Sequence, residues 1–166
     1  MGLHLFEFYQ TIGRAKLSWN LYVFLRILLG LLFTVVGAEK LISPYQNFLY
    51  VVQSYELFPL SLTFLEEMTA RILPWIEFLL GMFLLLGLWL KSVLRGFFIL
   101  IGSFMIIVIQ ALIRKLPIDH CGCFGEMFSV SLPVILILDS FLLFCVLILM
   151  AKHKETSLLS LDQFYI

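Results

Sequence analysis

The stretch "LYVFLRILLGLLFTVVGAEKL", residues 21–41, runs through twenty-one positions with Arg26 as the only charge before Glu39 and Lys40. A helix rising about 1.5 Å per residue needs roughly 20 apolar residues to cross a hydrocarbon core, and this segment supplies them. Three further stretches of the same kind follow at residues 72–90, 93–113 and 130–151. None alternates apolar and polar residues as a barrel strand would, so the expected fold is an all-α integral membrane bundle of four transmembrane helices. Composition agrees. With 62% hydrophobic and 13% charged residues in 166, the chain has more apolar surface than a water-soluble core of that length can hide. The formal net charge of zero provides no basic field for nucleic acid. Val36 and Ala38 mimic a signal-peptidase site, but the length of the segment and the twenty residues before it predict that the first helix is retained.

Residues 42–71 form the largest piece expected outside the hydrocarbon. Ser43 and Pro44 signal a helix start, and Tyr45, Phe48, Leu49 and Val52 recur at helical spacing, predicting a short amphipathic helix between helices 1 and 2 that Pro59 ends. A second helical stretch is expected from Ser61, with Phe64, Leu65 and Met68 on one face, running into the second span and bent near Pro74. Both pieces should lie over the outer mouth of the bundle with apolar faces down. The tail from Lys152 is short and polar, and the whole chain, 1–166, reads as one domain.

Lysine and arginine near the helix ends set orientation. With the N-terminus inside, the cytoplasmic side holds Arg14, Lys16, Lys91, Arg95, Lys152 and Lys154, against Lys40, Arg71, Arg114 and Lys115 outside. Both termini are then cytoplasmic and the segment "HCGCFGE", residues 120–126, faces the oxidising compartment.

That segment carries two of the three cysteines. A bond between Cys121 and Cys123 closes a small ring that Gly122 is best able to tolerate. A strained, exposed disulfide is readily reduced, which suits passing oxidising equivalents to another thiol. Two other readings of the same residues stand beside it: ordinary loop thiols or a static staple, and a metal site on His120, Cys121 and Cys123 with help from Asp119 or Glu126. Zinc in a structural site takes four protein ligands, which weighs against the metal. His120 reads as a neighbour more than a thiolate-stabilising partner. Cys145 falls deep in the last span and reads as a small core residue.

Charges within spans are costly and worth placing by depth. With the outer helix ends taken as level, Lys40 lies about 1.5 Å down, Gln110 about 4.5 Å, Glu77 about 7.5 Å, Asp139 about 14 Å and Arg26 about 22 Å. These depths predict pairs of Lys40 with Glu77 and of Arg26 with Asp139, and an outer polar cluster of Lys40, Glu77 and Gln110 beneath the Cys-Gly-Cys loop. Such pairs fix helix register, and the outer cluster can also move a proton during thiol exchange. Gly30, Gly37, Gly81, Gly96, Gly102 and Ser103 are expected to let helices approach closely.

The set Arg26, Gly30, Phe33, Gly37 and Lys40, then "LPWIEFLLG" at 73–81 and "CGCFG" at 121–125, resembles the MauE/DoxX group of redox-associated membrane proteins over about residues 20–151. The resemblance implies a four-helix bundle comparable with those of DsbB and vitamin K epoxide reductase. It implies a thiol-disulfide redox protein of the bacterial inner membrane, assisting disulfide formation or maturation of periplasmic proteins, as in methylamine dehydrogenase maturation. Cys121 and Cys123 would then be the catalytic redox pair, with a periplasmic thioredoxin-like protein or cysteine-containing substrate as partner and a quinone as the candidate cofactor. The chain departs from the DsbB pattern in having one cysteine pair and no recognisable quinone motif. A different class of reading is a noncatalytic subunit of a larger membrane complex, suggested by the 16% aromatic content and small extramembrane mass. A transporter is disfavoured by the absence of an internal repeat.

Overall fold

A computed structural model describes residues 19–57, 62–116, 118 and 131–152. Among these, 90% are helical and none is in a strand, so the chain is an all-α membrane bundle as its hydropathy requires. The elements are α1 (Trp19–Ile42), α2 (Tyr45–Ser54), α3 (Thr63–Leu86), α4 (Leu90–Arg114) and α5 (Leu132–Lys152). All but the short α2 are long and apolar enough to cross a bilayer.

Four boundaries differ from expectation in an instructive way. The second span ends at Leu86, because Gly87 takes a left-handed conformation (φ 70°) and the Leu88 amide donates back to the Phe83 carbonyl, closing the helix. It also begins at Thr63, with Pro74 inside one continuous helix. Ser43 does not cap α2. Its amide donates to the Glu39 carbonyl, closing α1, and Pro44 occupies the N-cap position with no side-chain bond. The helix then stops at the turn through Tyr55 and Glu56, before Pro59, which with Ser61 lies outside the described residues.

The bundle is built from two closely packed antiparallel pairs, α1 on α3 and α4 on α5. The first pair is set by small residues. A Cβ added to Gly37 would come within 2.6 Å of the Phe78 amide nitrogen, and one added to Gly81 within 2.6 Å of the Thr34 amide nitrogen. Gly30 faces Leu85 in the same register, so the two backbones meet along three successive turns, where close contact rather than apolar burial drives association in lipid. Gly96 is filled by Leu80. Gly102 and Ser103 depart from expectation: no atom lies within 4 Å of a Cβ at Gly102, and Ser103 is exposed with its hydroxyl donating to the Leu100 carbonyl.

That register has a consequence for the outer end. With Gly37 opposite Phe78, the end of α1 at Ile42 falls opposite residue 73 of α3, so the first ten residues of α3 run about 15 Å past it. The overhang is where α2 packs, its Gln53 amide donating to Glu66 (3.3 Å) and its Tyr45 ring lying 4.7 Å from the Arg71 guanidinium. Phe64, Leu65 and Met68 point outward here, against expectation, while Glu66, Ala70, Pro74, Glu77 and Gly81 form the inward stripe. In lipid an apolar side chain has nothing to gain from the interior, so small and polar residues take it. The main core joins all four spans, centred on Leu84, Phe97, Ile101, Val146 and Leu149, with Phe33 and Phe97 meeting edge to face at 4.8 Å. Cys145 is buried in it as a free thiol.

Candidate functional site

Three ionisable side chains are buried in one layer near the α2 end of the bundle. Lys40 of α1 donates to both carboxylate oxygens of Glu77 on α3, each at 2.9 Å, with the two side chains 2% and 1% exposed. A buried pair survives only when its geometry offsets desolvation, and here the bidentate contact does so. The ammonium also lies 4.6 Å from the Phe48 ring and 6.0 Å from that of Phe104, so aromatic faces cover it from α2 and α4.

The third is Asp139, 3% exposed. Ile135, one turn above it on α5, packs in a cluster with Tyr55 and Val108, and Val108 lies one turn above Phe104 on antiparallel α4. One turn down on both helices brings Asp139 to the level of Phe104, and therefore of Lys40. Arg26 is fourteen residues away from Lys40 along α1, about 21 Å, too far for a side chain to span. The expected pairing of Arg26 with Asp139 is thus replaced by a layer holding Lys40, Glu77 and Asp139. The depths failed because helix ends are not level: Lys40, near the end of α1, meets Phe104, ten residues before the end of α4, so α4 overruns α1 as α3 does. Arg26 lies instead in the layer of Tyr22 and the buried end of α4.

Tyr55 is the residue the sequence reading missed. It follows α2 on the stripe of Phe48 and Val52, and it is 5% exposed, so the helical period extended by one step would have found it. Burial, and then the nearby Asp139 carboxylate, pushes its phenol up to about 12. It is held by the next residue. Glu56 takes a positive φ of 46°, uncommon for a residue with a Cβ, and Arg114 at the end of α4 clamps it, Nη1 donating to the Glu56 carbonyl (3.1 Å) and Nη2 to its carboxylate (2.5 Å). The clamp turns the chain so that Tyr55 points into the bundle.

Between α2, α3 and α4 lies a pocket of about 50 Å³ whose wall includes Lys40, Phe48, Tyr55, Thr69 and Phe104. The surface it presents is apolar. Gln110, expected beside Lys40 and Glu77, is half-buried on α4, and no hydrogen bond joins it to that pair among the described residues.

His120, Cys121 and Cys123, with Asp119 and Glu126, lie outside the described residues. The chain on both sides of them is placed: Leu116 and Ile118 before, and Leu132 after, pack in the cluster around Tyr55. The described residues that flank the cysteine segment therefore lie directly above the Tyr55 and Asp139 layer. Among the described residues no group of three or more His, Cys, Asp or Glu is placed to hold a metal ion.

No curated protein and no solved structure matches the chain. The profile of the methylamine utilisation protein MauE does, over residues 18–152, a match that takes in every described helix from α1 to the end of α5. The chain is a multi-pass membrane protein that belongs to the MauE family.

Proposed function

We propose that this protein acts in methylamine utilisation as a thiol-disulfide redox protein of the bacterial inner membrane, assisting disulfide formation or maturation of periplasmic proteins through Cys121 and Cys123. The observation that supports it most is a juxtaposition: a Cys-Gly-Cys sequence in a MauE-family chain is flanked on both sides by residues that pack at the end of the bundle where Lys40, Glu77 and Asp139 are buried. Thiol exchange needs a proton removed from the attacking thiol and returned to the leaving one.

In the proposed reaction a thiolate of a periplasmic thioredoxin-like protein or substrate attacks one sulfur of the Cys121–Cys123 disulfide. A mixed disulfide forms and the other cysteine leaves as a thiolate. The partner's second thiol, deprotonated in turn, attacks the mixed disulfide, so the partner departs oxidised and both cysteines end as thiols. Two electrons and two protons pass from partner to protein. A membrane quinone is the acceptor class proposed to reoxidise the pair. Lys40, Glu77 and Gln110 support the reaction from beneath, the ion pair holding α1 and α3 in register while Arg26 anchors the opposite end of α1.

Cys123→Ser in intact membranes should capture a partner through a bond that thiol reductant releases, and recovery of no adduct from either Cys121→Ser or Cys123→Ser contradicts the proposal. The second reading, a noncatalytic subunit, is favoured by the broad outward face carrying Phe24, Leu31, Trp75 and Ile106. Changing both cysteines to serine separates the two: growth on methylamine is lost if the pair is redox-active and kept if it is a staple.

A further inference from the structure

The buried layer near α2 does not balance in charge. Lys40 commits its ammonium to both oxygens of Glu77, so that pair is neutral and closed. Asp139 adds a second carboxylate, 3% exposed, whose Oδ2 is shut off from water and has no hydrogen-bond partner among the described residues. An uncompensated carboxylate in such surroundings is among the costliest groups a protein can hold, and inside a span it is a mark of function rather than of packing.

The groups that face this site can be named element by element. From α2 it is Tyr55, close enough to feel the carboxylate's charge. From α4 the cluster above it presents Val108 and Ala111, and the nearest cation on that helix, Arg114, is exposed and engaged by Glu56. From α1 and α3 the layer offers Lys40 and Glu77, each already taken by the other. A hydrated metal cation would need several oxygen ligands, and among these side chains only Tyr55 and Asp139 have oxygens to give.

We infer that Asp139 and Tyr55 form an intramembrane proton-binding site, loaded from the end of the bundle where α2 lies. Tyr55 stands between Asp139 and the outside. Its hydroxyl can accept a proton from the loop side while donating its own inward, the two-way capacity a relay requires. Remaining a neutral phenol through the physiological range, it carries the proton without itself becoming charged. The pocket beside it is apolar, so the hydroxyl and not a file of water is the route. The inference goes beyond the thiol-exchange reading and does not rest on it, because it concerns residues of α2 and α5 whatever Cys121 and Cys123 do.

Infrared difference spectroscopy of the full chain in lipid vesicles, titrated with pH, reads the carbonyl stretch of a protonated carboxyl. Aspartate labelled with ¹³C at its carboxyl identifies the band as aspartate, and a background of Asp119→Asn with Asp162→Asn leaves Asp139 as the one aspartate in the chain. The expected result is an aspartate band that appears and disappears with pH in that background, is absent when Asp139→Asn is added and persists when Glu77→Gln is added. In Tyr55→Phe its midpoint moves by about half a pH unit or more, since the polar hydroxyl nearest the carboxylate has been removed. The labelled chain with Asp139 as its one aspartate carries the test if Asp139→Asn fails to fold. A band unchanged in Asp139→Asn, no titrating aspartate band at all, or a midpoint indifferent to Tyr55→Phe overturns the site. A band that depends on sodium instead of pH assigns the layer to a metal cation and equally overturns it.

Discussion

Glu77→Gln is the perturbation whose cost the structure defines most closely. The substitution keeps the shape of the side chain and removes its charge, leaving the Lys40 ammonium in a site where the two side chains are 2% and 1% exposed. At 2.9 Å and an effective dielectric of 20 the lost attraction is about 6 kcal/mol. The glutamine oxygen still accepts one hydrogen bond and its own desolvation is smaller, so the net loss should fall near the 3–5 kcal/mol typical of breaking a buried pair, about 4 kcal/mol. Lys40→Met together with Glu77→Leu removes both charges, fills the volume, and should come within about 1 kcal/mol of wild type or exceed it. Equilibrium unfolding in lipid bicelles, followed by tryptophan fluorescence, measures Glu77→Gln, the double variant and its two component single variants. The coupling between the two sites should then be several kcal/mol and opposite in sign to the single losses. A loss below about 1 kcal/mol for Glu77→Gln, or simple additivity in the double variant, would refute the claim that this pair is closed and water-free.

Gly37→Ala and Gly81→Ala each drive a methyl against backbone of the facing helix, at 2.6 Å, and should cost about 1–3 kcal/mol by the same unfolding assay, whereas Gly102→Ala, facing open space, should be neutral or stabilise by up to about 1 kcal/mol. Tyr55 supplies a pH dependence with a definite sign. Its phenol is held up at about 12 against 10 for the unfolded chain, so its contribution is fully present below pH 10 and fades as pH rises toward 12, where the unfolded state has lost the proton that the folded state keeps. Tyr55→Phe should remove that fade, and phenolate absorbance should show one fewer late-titrating tyrosine. Arg114→Ala breaks an exposed pair, 41% and 60% exposed, so stability should change by no more than about 1 kcal/mol, while Tyr55 should titrate closer to 10 because the turn that aims it inward is released.

Much of this architecture could be read from the chain alone. Twenty apolar residues in a row have one solution in a bilayer, so the four spans and the short helix before the second were legible, as was the meeting of Lys40 with Glu77, which follows from the cost of burying either alone. The facing of α3 was not. Phe64, Leu65 and Met68 would mark an inward face in water, but lipid is as apolar as they are, and the interior goes to Gly81, Pro74 and Glu77 instead. The level of Asp139 was hidden for a different reason. Depth counted from helix ends presumes that the ends align, whereas Lys40 near the end of α1 meets Phe104 ten residues before the end of α4. Tyr55 lies in the turn after α2, one helical step beyond Phe48 and Val52, so its burial was legible in the period; the Arg114 contact with Glu56 that closes that turn spans 58 residues and was not.

The account turns on the redox state and sidedness of Cys121 and Cys123. Inverted and right-side-out membrane vesicles treated with a membrane-impermeant maleimide, before and after mild reduction, report both at once, with Cys145 buried in the core as the internal silent control. The prediction is labelling of Cys121 and Cys123 only in right-side-out vesicles and only after reduction. Labelling without reductant, or labelling confined to inverted vesicles, would contradict a periplasmic disulfide and with it the proposed function.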